Sequence, residues 1–583
     1  MPTLEWIGKS KVINHHQDVP FRVLERKYSF DENGQHDEDN GSENMIIRGD
    51  NLEALKALLP RYEGRVKCIY IDPPYNTGNE GWVYNDNVND PKIKKWLGEV
   101  VGKEGEDLTR HDKWLCMMYP RLKLLQKLLA DDGAIFISID DTEYANLKLI
   151  CDEIFGSNCF VSNISWQRTY STRNDSKGIV NEVEHLVVYS KLPDWNPNKL
   201  PRTAEMDAKY KNPDNDRTLW RTDNAFAPGA ATHQGMVYAV QHPFTGKMLY
   251  PANGRCWTFG QDQMLEIMRG WCGYELRDLN DAHERAVVCG VPESDVRQGV
   301  QAIVLSESLE TSAQKAQAVY DRGQWPRFFF TKGGKGGIAR KTYLENVGGK
   351  LPTNFWAFTE TGHTDEAKKE MLAIFDGKAT FDTPKPHRLI EFVLKIAGNG
   401  NALILDSFAG SGTTAHAVLN MNKADGGHRK FILVEMMDYA DSITAERVKR
   451  VIRGYGEGKN AVEGTGGNFS FYDLGEPLLV GDCLNEAVAP EKIREYIWFM
   501  ETKQPYAPPS GGNPYYLGQH NDTGYYFYYE PQRVTVLDYA FLSTITEKAD
   551  GTVIYADRCS ISEDKLAKIG IVFKKIPRDI NRL

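Results

Sequence analysis

Residues 69–78 read IYIDPPYNTG, and this stretch decides how the first half of the chain folds. The apolar run from Val66 to Ile71 has the length of a buried strand and ends at Asp72. Proline cannot donate a ladder hydrogen bond and it restricts the residue before it, so the two prolines that follow must end the strand. The sequence therefore predicts a buried strand that stops on a carboxylate and continues into a rigid turn.

Strands and helices alternate on either side of this stretch. MIIRGDN, GAIFISID and EHLVVYSK read as strands, whereas LEALKALL and WLCMMYPRLKLLQKLL read as helices. The pattern fails near residue 191 and resumes near residue 381 with a helix and then the strands of NALILDSFAGSGTTA and KFILVE. Such alternation predicts an α/β fold with a parallel sheet, interrupted by a middle domain.

We expect five segments along the chain. A polar, acidic stretch closes an N-terminal arm, and the tail, rich in tyrosine and β-branched residues, reads as a small α+β domain. The expected boundaries are 1–44 for the arm, 45–190 and 381–465 for the two parts of the α/β domain, 191–380 for the middle domain and 466–583 for the C-terminal domain.

Composition narrows the class of protein. The 583 residues are 41% hydrophobic and 26% charged, as in ordinary soluble enzymes. The net charge of −10 argues against binding nucleic acid through overall charge, although a local basic groove is still compatible with it.

The nine cysteines form no CxxC pair, which disfavours a zinc ribbon and indicates reduced thiols. We see no signal peptide, and no apolar run approaches the ~20 residues of a membrane span. We therefore expect a cytoplasmic protein without a membrane partner.

The second informative stretch is LILDSFAGSGTTA, residues 403–415. Gly410, Gly412 and Ala415 follow the G-x-G-x-x-G/A pattern between a strand and a helix, where glycines let the backbone approach a ligand closely. A phosphate-binding P-loop is excluded because no lysine follows Gly412, but a simple tight turn remains an alternative. Glu435 ends the next strand, where an acid can hold the ribose of an adenosine-type cofactor.

The turn after Asp72 carries the chemistry of a receptor for an amino-bearing ring. Ligands of open α/β sheets bind at the carboxyl ends of the strands, where Asp72 lies. The Asp72 carboxylate and the Pro73 carbonyl can each accept a hydrogen bond from an exocyclic amine, and Tyr75 offers a ring face for stacking. Adenine fits this description. The alternative is a proline-rich loop with a capping aspartate.

Together, DPPY and FAGSGTT resemble the motifs of amino-methyltransferases that use S-adenosyl-L-methionine. Their order resembles the circularly permuted β group of DNA amino-methyltransferases. DPPYNTGN, WLCMMYPRLKLL, DGAIFISIDD and the closing KKIPRD resemble the Mod subunit of type III restriction–modification systems, mainly over residues 45–190 and 380–450. The resemblance implies a circularly permuted, Rossmann-like methyltransferase fold with an inserted target-recognition domain and a small C-terminal α+β domain.

The resemblance also implies roles for single residues. The target base is held by Asp72, Pro73, Pro74 and Tyr75. The implied S-adenosyl-L-methionine site consists of Asp50, Asp72, Lys385, Asp406, Phe408, Gly410, Gly412, Thr413 and Glu435. In dinucleotide-binding folds the acid that holds the ribose lies about 20 residues beyond the glycine loop. The spacing from Asp406 to Glu435 is longer than that. An acid rather than a serine before PPY favours adenine N6 over cytosine N4 as the acceptor.

Basic and aromatic residues alternate in the middle region, a composition that suits contacts with phosphates and bases. The expected DNA-binding residues are Arg173, Asn174, Arg327, Lys332, Lys335, Arg340 and Lys341. A solvated loop beside an aromatic core is the alternative. We expect no metal site, because the histidines form no ligand set in the sequence.

The expected function is methylation of adenine N6 in a specific sequence of double-stranded DNA, by the modification subunit of a type III restriction–modification system. The family implies a homodimer and a Res subunit that carries the ATPase and endonuclease. The alternatives are a DNA adenine or cytosine-N4 methyltransferase without a restriction partner, an RNA adenine methyltransferase, and a catalytically silent DNA-recognition subunit.

Overall fold

The computed structural model describes residues 3–77, 95, 99, 110–170 and 179–578. The chain divides into two compact units, residues 1–198 with 352–583, and residues 199–351. The inserted unit is thus shorter than the expected 191–380. Residues 352–380 belong to the first unit, where Phe355–Trp356 pairs in parallel with the strand Phe160–Gln167.

An eleven-stranded sheet forms the centre of the first unit. Its strands, in chain order, are β1 (Arg22–Asp31), β2 (Gly34–His36), β3 (Met45–Arg48), β4 (Val66–Ile71), β5 (Leu129–Ile139), β6 (Phe160–Gln167), β7 (Val183–Ser190), β8 (Phe355–Trp356), β9 (Leu403–Asp406), β10 (Lys430–Glu435) and β11 (Asn468–Pro477). Two expected boundaries fall inside this sheet, because β1 and β2 precede residue 45 and β11 follows residue 465.

The order across the sheet is β8-β6-β7-β5-β4-β9-β10-β3-β11-β1-β2. Across the part of the sheet with the order β5-β4-β9-β10-β3-β11, each strand is parallel to its neighbours. Strand β7 is antiparallel to both of its neighbours, β5 and β6. From β4 the chain continues outward to β5, and from β9 it continues the opposite way to β10. The boundary between β4 and β9 is therefore a topological switch point, where open α/β sheets bind ligands.

The α/β prediction is confirmed, and the strand carrying the glycine loop pairs with the strand that ends at Asp72. Leu405 of β9 lies opposite Ile69 of β4. The central strands are apolar on both faces because helices cover both: all but one residue of β4 and all of β10 except Lys430 are buried.

The helices of the first unit pack around this sheet or lie in the C-terminal part. Within the described residues, the α-helices with assigned bounds are Lys9–Val12, His15–Asp18, Asn51–Tyr62, Arg110–Leu128, Tyr144–Phe155, Phe358–Thr361, Thr364–Ile374, His387–Ala397, Thr413–Asp425, Glu446–Arg453, Pro490–Thr502, Tyr539–Leu542 and Glu563–Lys568. In the described part of the chain, no helix combines the length and the apolar character that crossing a bilayer requires.

A smaller α+β arrangement follows β11. Its four-stranded sheet has the order Tyr516–His520, Thr523–Phe527, Gly551–Ala556 and Ile571–Lys575, and the last three strands are parallel. Three short pairs of strands lie near it in the chain. Gly454–Tyr455 pairs with Val462–Glu463 before β11. After β11, Leu479–Val480 pairs with Cys483–Leu484, and Val536–Leu537 pairs with Arg558–Cys559.

The inserted unit has its own aromatic core, which includes Trp220, Trp257, Trp271 and the run Phe328–Phe330. Its strands are Trp220–Asn224, Phe226–Pro228, Val240–Gln241, Met248–Leu249, Arg255–Trp257, Tyr274–Arg277, Ala302–Leu305, Phe328–Phe330 and Ile338–Tyr343. Its helices are Ala204–Asp207, Gln261–Met268, Ala282–Cys289 and Leu309–Arg322. Its buried aromatic side chains therefore come from many short elements, which explains why the sequence shows little periodicity there.

Candidate active site

A cavity of about 290 Å³ lies at the carboxyl ends of β4 and β9. We call it the corner pocket. It is lined by Tyr70, Asp72, Pro73, Pro74, Tyr75, Thr77, Asp140, Arg168, Glu184, Phe381, Thr383, Pro384, Lys385, Asp406, Phe408, Ala409, Gly410, Ser411, Thr413 and Thr414. The DPPY turn and the glycine loop thus face one cavity. Its size lies at the lower end of the range for small-molecule sites.

The DPPY turn is held rigidly by the neighbouring helix and loop. Pro73 and Pro74 are buried, and the Pro74 carbonyl accepts a hydrogen bond from Trp114 Nε1 at 2.7 Å. Asn76 has a positive φ of 60° and donates from Nδ2 to Glu143 Oε1 at 2.5 Å. Buried partners within the protein therefore fix the geometry of the turn.

Lys385 joins the two halves of the corner pocket. Its Nζ lies 2.9 Å from both Asp72 carboxylate oxygens and 2.9 Å from the Tyr75 hydroxyl. Burial lowers the pKa of Lys385, but the carboxylates of Asp72 and Glu184 outweigh it, so the pKa lies above its ordinary value. Lys385 is therefore a charged partner of Asp72, a contact that the family resemblance did not imply.

Asp72 keeps access to the pocket while it is paired. Its side chain is 27% exposed and accepts a hydrogen bond from the Tyr75 hydroxyl at 2.9 Å. Burial raises the pKa of the Asp72 carboxyl above its usual range, and the Lys385 ammonium opposes this shift. The carboxylate thus combines a partly dry position with a fixed orientation, which strengthens its hydrogen bonds.

Glu184 is a buried acid of the pocket that sequence reasoning missed. It lies on β7, and its Oε1 accepts from Arg168 at 2.9 Å. Its Oε2 lies 3.2 Å from the Tyr75 hydroxyl, whose single proton has the closer acceptor in Asp72 Oδ1 at 2.9 Å. Burial would raise the pKa of Glu184, but Lys385 and Arg168 hold it below the ordinary value. The available signal was a single acid at the start of the apolar run HLVVYS.

The glycine loop has the backbone that its sequence requires. Gly410 and Gly412 have φ values of 52° and 81°, in the left-handed region that favours glycine. A side chain on Gly412 would bring its Cβ within 3.0 Å of the Thr444 carbonyl oxygen. Glu435 accepts a hydrogen bond from the Gly410 amide at 2.8 Å, so the acid at the end of β10 fixes the loop directly.

The remaining expected cofactor residues fall into two groups. Phe408, Gly410 and Thr413 line the corner pocket, as do Asp406 and Lys385. The other three, Asp50, Gly412 and Glu435, lie beyond this lining. Asp50 caps the helix Asn51–Tyr62 by accepting from the Leu52 amide at 2.8 Å. Gly412 precedes the helix Thr413–Asp425, and Glu435 is buried and bonded to the glycine loop.

A buried arginine supports the glycine loop from the other side. Arg447 Nη1 donates to the hydroxyls of Ser411 at 2.9 Å and Thr413 at 2.7 Å. Its Nη2 donates to Glu370 Oε2 at 3.1 Å and lies 3.1 Å from His416 Nδ1. Glu370, His387 and His416 place ligand-type atoms within 4.8 Å of one another, but the guanidinium already neutralises this cluster. We therefore interpret it as a support for the loop.

Asp406 makes the stability of the unliganded protein depend on pH. It accepts hydrogen bonds from the Phe408 amide at 3.0 Å and the Thr414 hydroxyl at 2.6 Å, and burial raises its pKa to about 7. A raised carboxyl pKa contributes stability that is complete below the unfolded value of about 3.9 and is lost as the pH rises through about 7.

We expect Asp406→Asn to flatten this dependence. Between pH 5 and 8 the wild type should lose about 2 kcal/mol more of its free energy of unfolding than the variant does. Urea unfolding of both proteins at four pH values measures the difference. Parallel curves for the two proteins would show that Asp406 ionises normally.

The expected DNA-binding residues occupy different environments. Arg327, Lys332 and Lys335 are exposed, and the Arg327 guanidinium lies 5.0 Å from the centre of the Phe259 ring. Arg340 is half-buried and donates to Asp223 Oδ2 at 3.0 Å. Arg173 and Asn174 lie outside the described residues.

The structure corrects the expectation for Lys341. Its side chain has no exposed surface, and its Nζ donates to Asp214 at 2.5 Å, Asp216 at 2.6 Å and the Trp325 carbonyl at 2.7 Å. A lysine whose three donors are used in the core has nothing to offer a phosphate. Lys341 is therefore part of the core of the inserted unit.

We expect Lys341→Met to destabilise the protein strongly. It leaves Asp214, which is also fully buried, and Asp216 without their cation, at a cost of about 3–5 kcal/mol. The matched control is Lys335→Met, an exposed lysine of the same hairpin, which should stay within about 0.5 kcal/mol of wild type. Urea unfolding measures both. Equal stabilities of the two variants would contradict the buried ion pair.

Comparison with known proteins places this site in a family context. The sequence matches the family described as DNA methylase over residues 66–446. It is 33% identical over 440 residues to the Mod subunit of the type III restriction-modification enzyme StyLTI of Salmonella typhimurium, covering 71% of this chain and 58% of that protein.

Two further relatives give a similar result. The chain is 28% identical over 470 residues to the type III EcoPI Mod subunit of Escherichia phage P1, covering 74% of this chain and 63% of that protein. It is 29% identical over 398 residues to the type II methyltransferase M.KpnI of Klebsiella pneumoniae, covering 68% and 81%. The chain spans about three fifths of the length of the two type III relatives.

Proposed function

Because the chain belongs to the DNA methylase family, we propose that it methylates adenine N6 at a specific sequence in DNA, with S-adenosyl-L-methionine as the methyl donor. We propose further that it is the modification and recognition subunit of a type III restriction–modification system. The observation that carries the proposal is the corner pocket, where the carboxylate of Asp72 and the glycine loop face one cavity.

The residues of the glycine loop fit the proposed cofactor. A Cβ on Gly410 would come within 3.2 Å of the Phe381 ring, so glycine keeps this part of the cavity open. Phe408 and Thr413 line the same cavity. Glu435 and Asp50 lie beyond this lining and accept hydrogen bonds from the amides of Gly410 and Leu52; they are the acids proposed to hold the ribose and the adenine amine. S-adenosyl-L-methionine, when bound, supplies an electrophilic methyl group.

The target amine needs acceptors because its lone pair is delocalised into the ring. Asp72 and the Pro73 carbonyl would accept hydrogen bonds from N6–H and favour the localised, nucleophilic form of the nitrogen. The turn holds these acceptors in place before the base arrives, so their contribution is preorganised. Tyr75, whose hydroxyl is anchored by Asp72 and Glu184, would offer its ring for stacking.

A base inside a duplex cannot reach this pocket. The proposal therefore includes extrusion of the target adenine from double-stranded DNA into the corner pocket. Asp72 in place of a serine favours adenine over cytosine as the target base. Recognition of the surrounding sequence is assigned to the inserted unit, residues 199–351, through exposed basic side chains such as Arg327.

The proposed partners are DNA, a second copy of the chain in a homodimer and a Res subunit with ATPase and endonuclease activity. The two type III relatives support the assignment to such a system. The type II methyltransferase M.KpnI is matched at a similar identity and favours the alternative of a methyltransferase that is not a type III subunit. The nine cysteines are all free, which agrees with the proposed cytoplasmic location.

The test of the function uses cells that lack adenine methylation. We expect DNA from cells expressing the chain to carry N6-methyladenine in one short sequence motif, read by single-molecule sequencing. Cells expressing an empty vector provide the baseline. Methylated cytosine in the motif would support the N4 alternative, and methylation of RNA alone would overturn the proposal.

We expect the exposed basic residues to carry DNA affinity that is not specific to sequence. The triple variant Arg327→Ala, Lys332→Ala, Lys335→Ala should bind duplex DNA more weakly, and its affinity should fall less steeply with salt, by up to about 0.9 per lost phosphate contact. Fluorescence anisotropy at several salt concentrations measures both effects. Lys459→Ala, an exposed lysine of the other unit, is the control. An unchanged salt slope would remove these three residues from the DNA interface.

A further inference from the structure

The corner pocket contains a conflict between two donors for one acceptor. Both oxygens of Asp72 are engaged by Lys385 Nζ at 2.9 Å, and Oδ1 also accepts from the Tyr75 hydroxyl. The same carboxylate must accept a hydrogen bond from the amine of the target base if the proposed function is correct. An ammonium is the stronger donor because it is charged. Lys385 therefore needs another acceptor when the base enters.

We propose that Glu184 is the positioning residue that provides this acceptor: its carboxylate takes up Lys385 and so releases Asp72 for the target amine. This inference rests on the proposed methyl transfer to an exocyclic amine. Glu184 acts through Lys385 and Tyr75, and it touches neither the base nor the cofactor in the proposed reaction.

The distances make the exchange local. Glu184 Oε2 lies 3.5 Å from Lys385 Nζ, within ion-pair distance but longer than the about 2.7–2.9 Å of a strong charge-assisted hydrogen bond, and it lies 3.2 Å from the Tyr75 hydroxyl. The Lys385 ammonium also contacts that hydroxyl at 2.9 Å, so Tyr75 lies beside both partners. Lys385 can move from one carboxylate to the other without leaving the pocket.

The charges of the pocket support this role. Glu184 is buried, with an exposed fraction of 7%; its Oε1 accepts from Arg168, whereas its Oε2 is the oxygen that lies near Lys385. The acids Asp72 and Glu184 thus face the cations Lys385 and Arg168. Movement of Lys385 between the two acids leaves the charge of the pocket unchanged, whereas its movement into solvent would leave Asp72 and Glu184 as neighbouring anions around one arginine.

A second property separates this role from a simple electrostatic effect on Asp72. Glu184 is a negative neighbour that raises the pKa of the Asp72 carboxyl, so its removal alone would favour the charged, competent form of Asp72. A purely electrostatic role therefore predicts equal or faster methyl transfer when Glu184 is neutralised. The exchange of Lys385 predicts slower transfer.

The experiment compares Glu184→Gln with Glu182→Gln in single-turnover methyl transfer to duplex DNA containing the recognition motif. Glu182 lies two residues earlier and makes no ion pair among the described residues. We expect Glu184→Gln to reduce the transfer rate about 10-fold or more, with the dissociation constant for S-adenosyl-L-methionine and the KM for DNA within about 3-fold of wild type. Glu182→Gln should match wild type. Glu184→Asp, which keeps the charge, should recover part of the rate.

The double variant tests the route of the effect. In a Lys385→Met background there is no ammonium to relocate, so adding Glu184→Gln should cost less than about 2-fold, compared with about 10-fold in the wild-type background. A rate for Glu184→Gln within about 2-fold of wild type would overturn the inference, and so would an equal loss in both backgrounds. If Glu184→Gln fails to bind the cofactor, the transfer rate of Glu184→Asp is compared with that of wild type instead. Complete loss of methyl transfer in the aspartate variant, which keeps the charge, would count against the inference.

These outcomes remain separate from failure of the proposed function. A wild-type protein that methylates no DNA removes the function and this inference together. An active wild type with an equally active Glu184→Gln variant removes the inference alone.

Discussion

Asp72→Asn should reduce methyl transfer about 1,000-fold while cofactor affinity stays within about 3-fold of wild type. The substitution preserves volume but replaces two acceptor oxygens by one acceptor and one donor. The new amide would point a donor at either the target amine or the Lys385 ammonium, and both of these are donors as well. If the donor faces the target amine, the acceptor that favours the nucleophilic nitrogen is lost; if it faces Lys385, the acceptor left for the amine is uncharged and weaker.

The measurement combines single-turnover transfer of a labelled methyl group with calorimetric titration of the cofactor. Asp152→Asn is the control, since Asp152 is another paired carboxylate of the same unit, accepting from Lys148 at 2.7 Å and from the Tyr189 hydroxyl at 2.7 Å. It should leave transfer within about 2-fold of wild type. Near-normal transfer by Asp72→Asn would remove Asp72 from the reaction.

Gly412→Val should abolish cofactor binding. Gly412 has a φ of 81°, which is a severe outlier for a β-branched residue. Its Cβ would lie 3.0 Å from the Thr444 carbonyl oxygen and 3.4 Å from Thr444 Cγ2, and backbone atoms cannot move aside as a flexible side chain can. The loop must shift to relieve the clash, so we expect the affinity for S-adenosyl-L-methionine to fall more than about 100-fold, the equivalent of about 3 kcal/mol.

The other end of the same helix offers a matched control. Gly426 follows Thr413–Asp425 and has a φ of 69°, and a Cβ added to it would meet no atom within 4 Å. Gly426→Val therefore introduces similar backbone strain without a clash and far from the pocket. It should lower the melting temperature but leave cofactor affinity unchanged. Equal losses of affinity in both variants would mean that the clash at Thr444 is not the cause.

The main features of the site could be predicted because they depend on local rules. Proline ends β4 at Asp72, and the glycine pattern marks the loop after β9. The carboxyl ends of parallel strands lie at one edge of a sheet, so the meeting of the two motifs in one pocket follows from the strand pattern and the family resemblance. The α/β fold was predictable for the same reason.

The rest depends on contacts between distant residues, which no spacing rule records. Lys341 looked like a solvent-facing base beside aromatic residues, but its partner Asp214 lies 127 positions earlier in the chain. Glu184 was a single acid in an apolar strand, and only the fold brings it to Lys385. Residues 352–380 joined the first unit because Phe355–Trp356 pairs with β6, and a two-residue strand leaves no periodic signal.

The order of strands also has a consequence for synthesis of the protein. β3 pairs with β10 and β11, and β4 pairs on one side with β9, so these early strands wait for partners made more than three hundred residues later. At about 5–20 residues per second, ribosomes need roughly 20 s to a minute to reach them. During that interval the backbone hydrogen-bonding groups of β3 are unpaired and its apolar side chains are exposed to other nascent chains. We therefore expect premature termination before residue 435 to yield aggregation-prone fragments, and chaperones that bind nascent chains to raise the yield of folded protein.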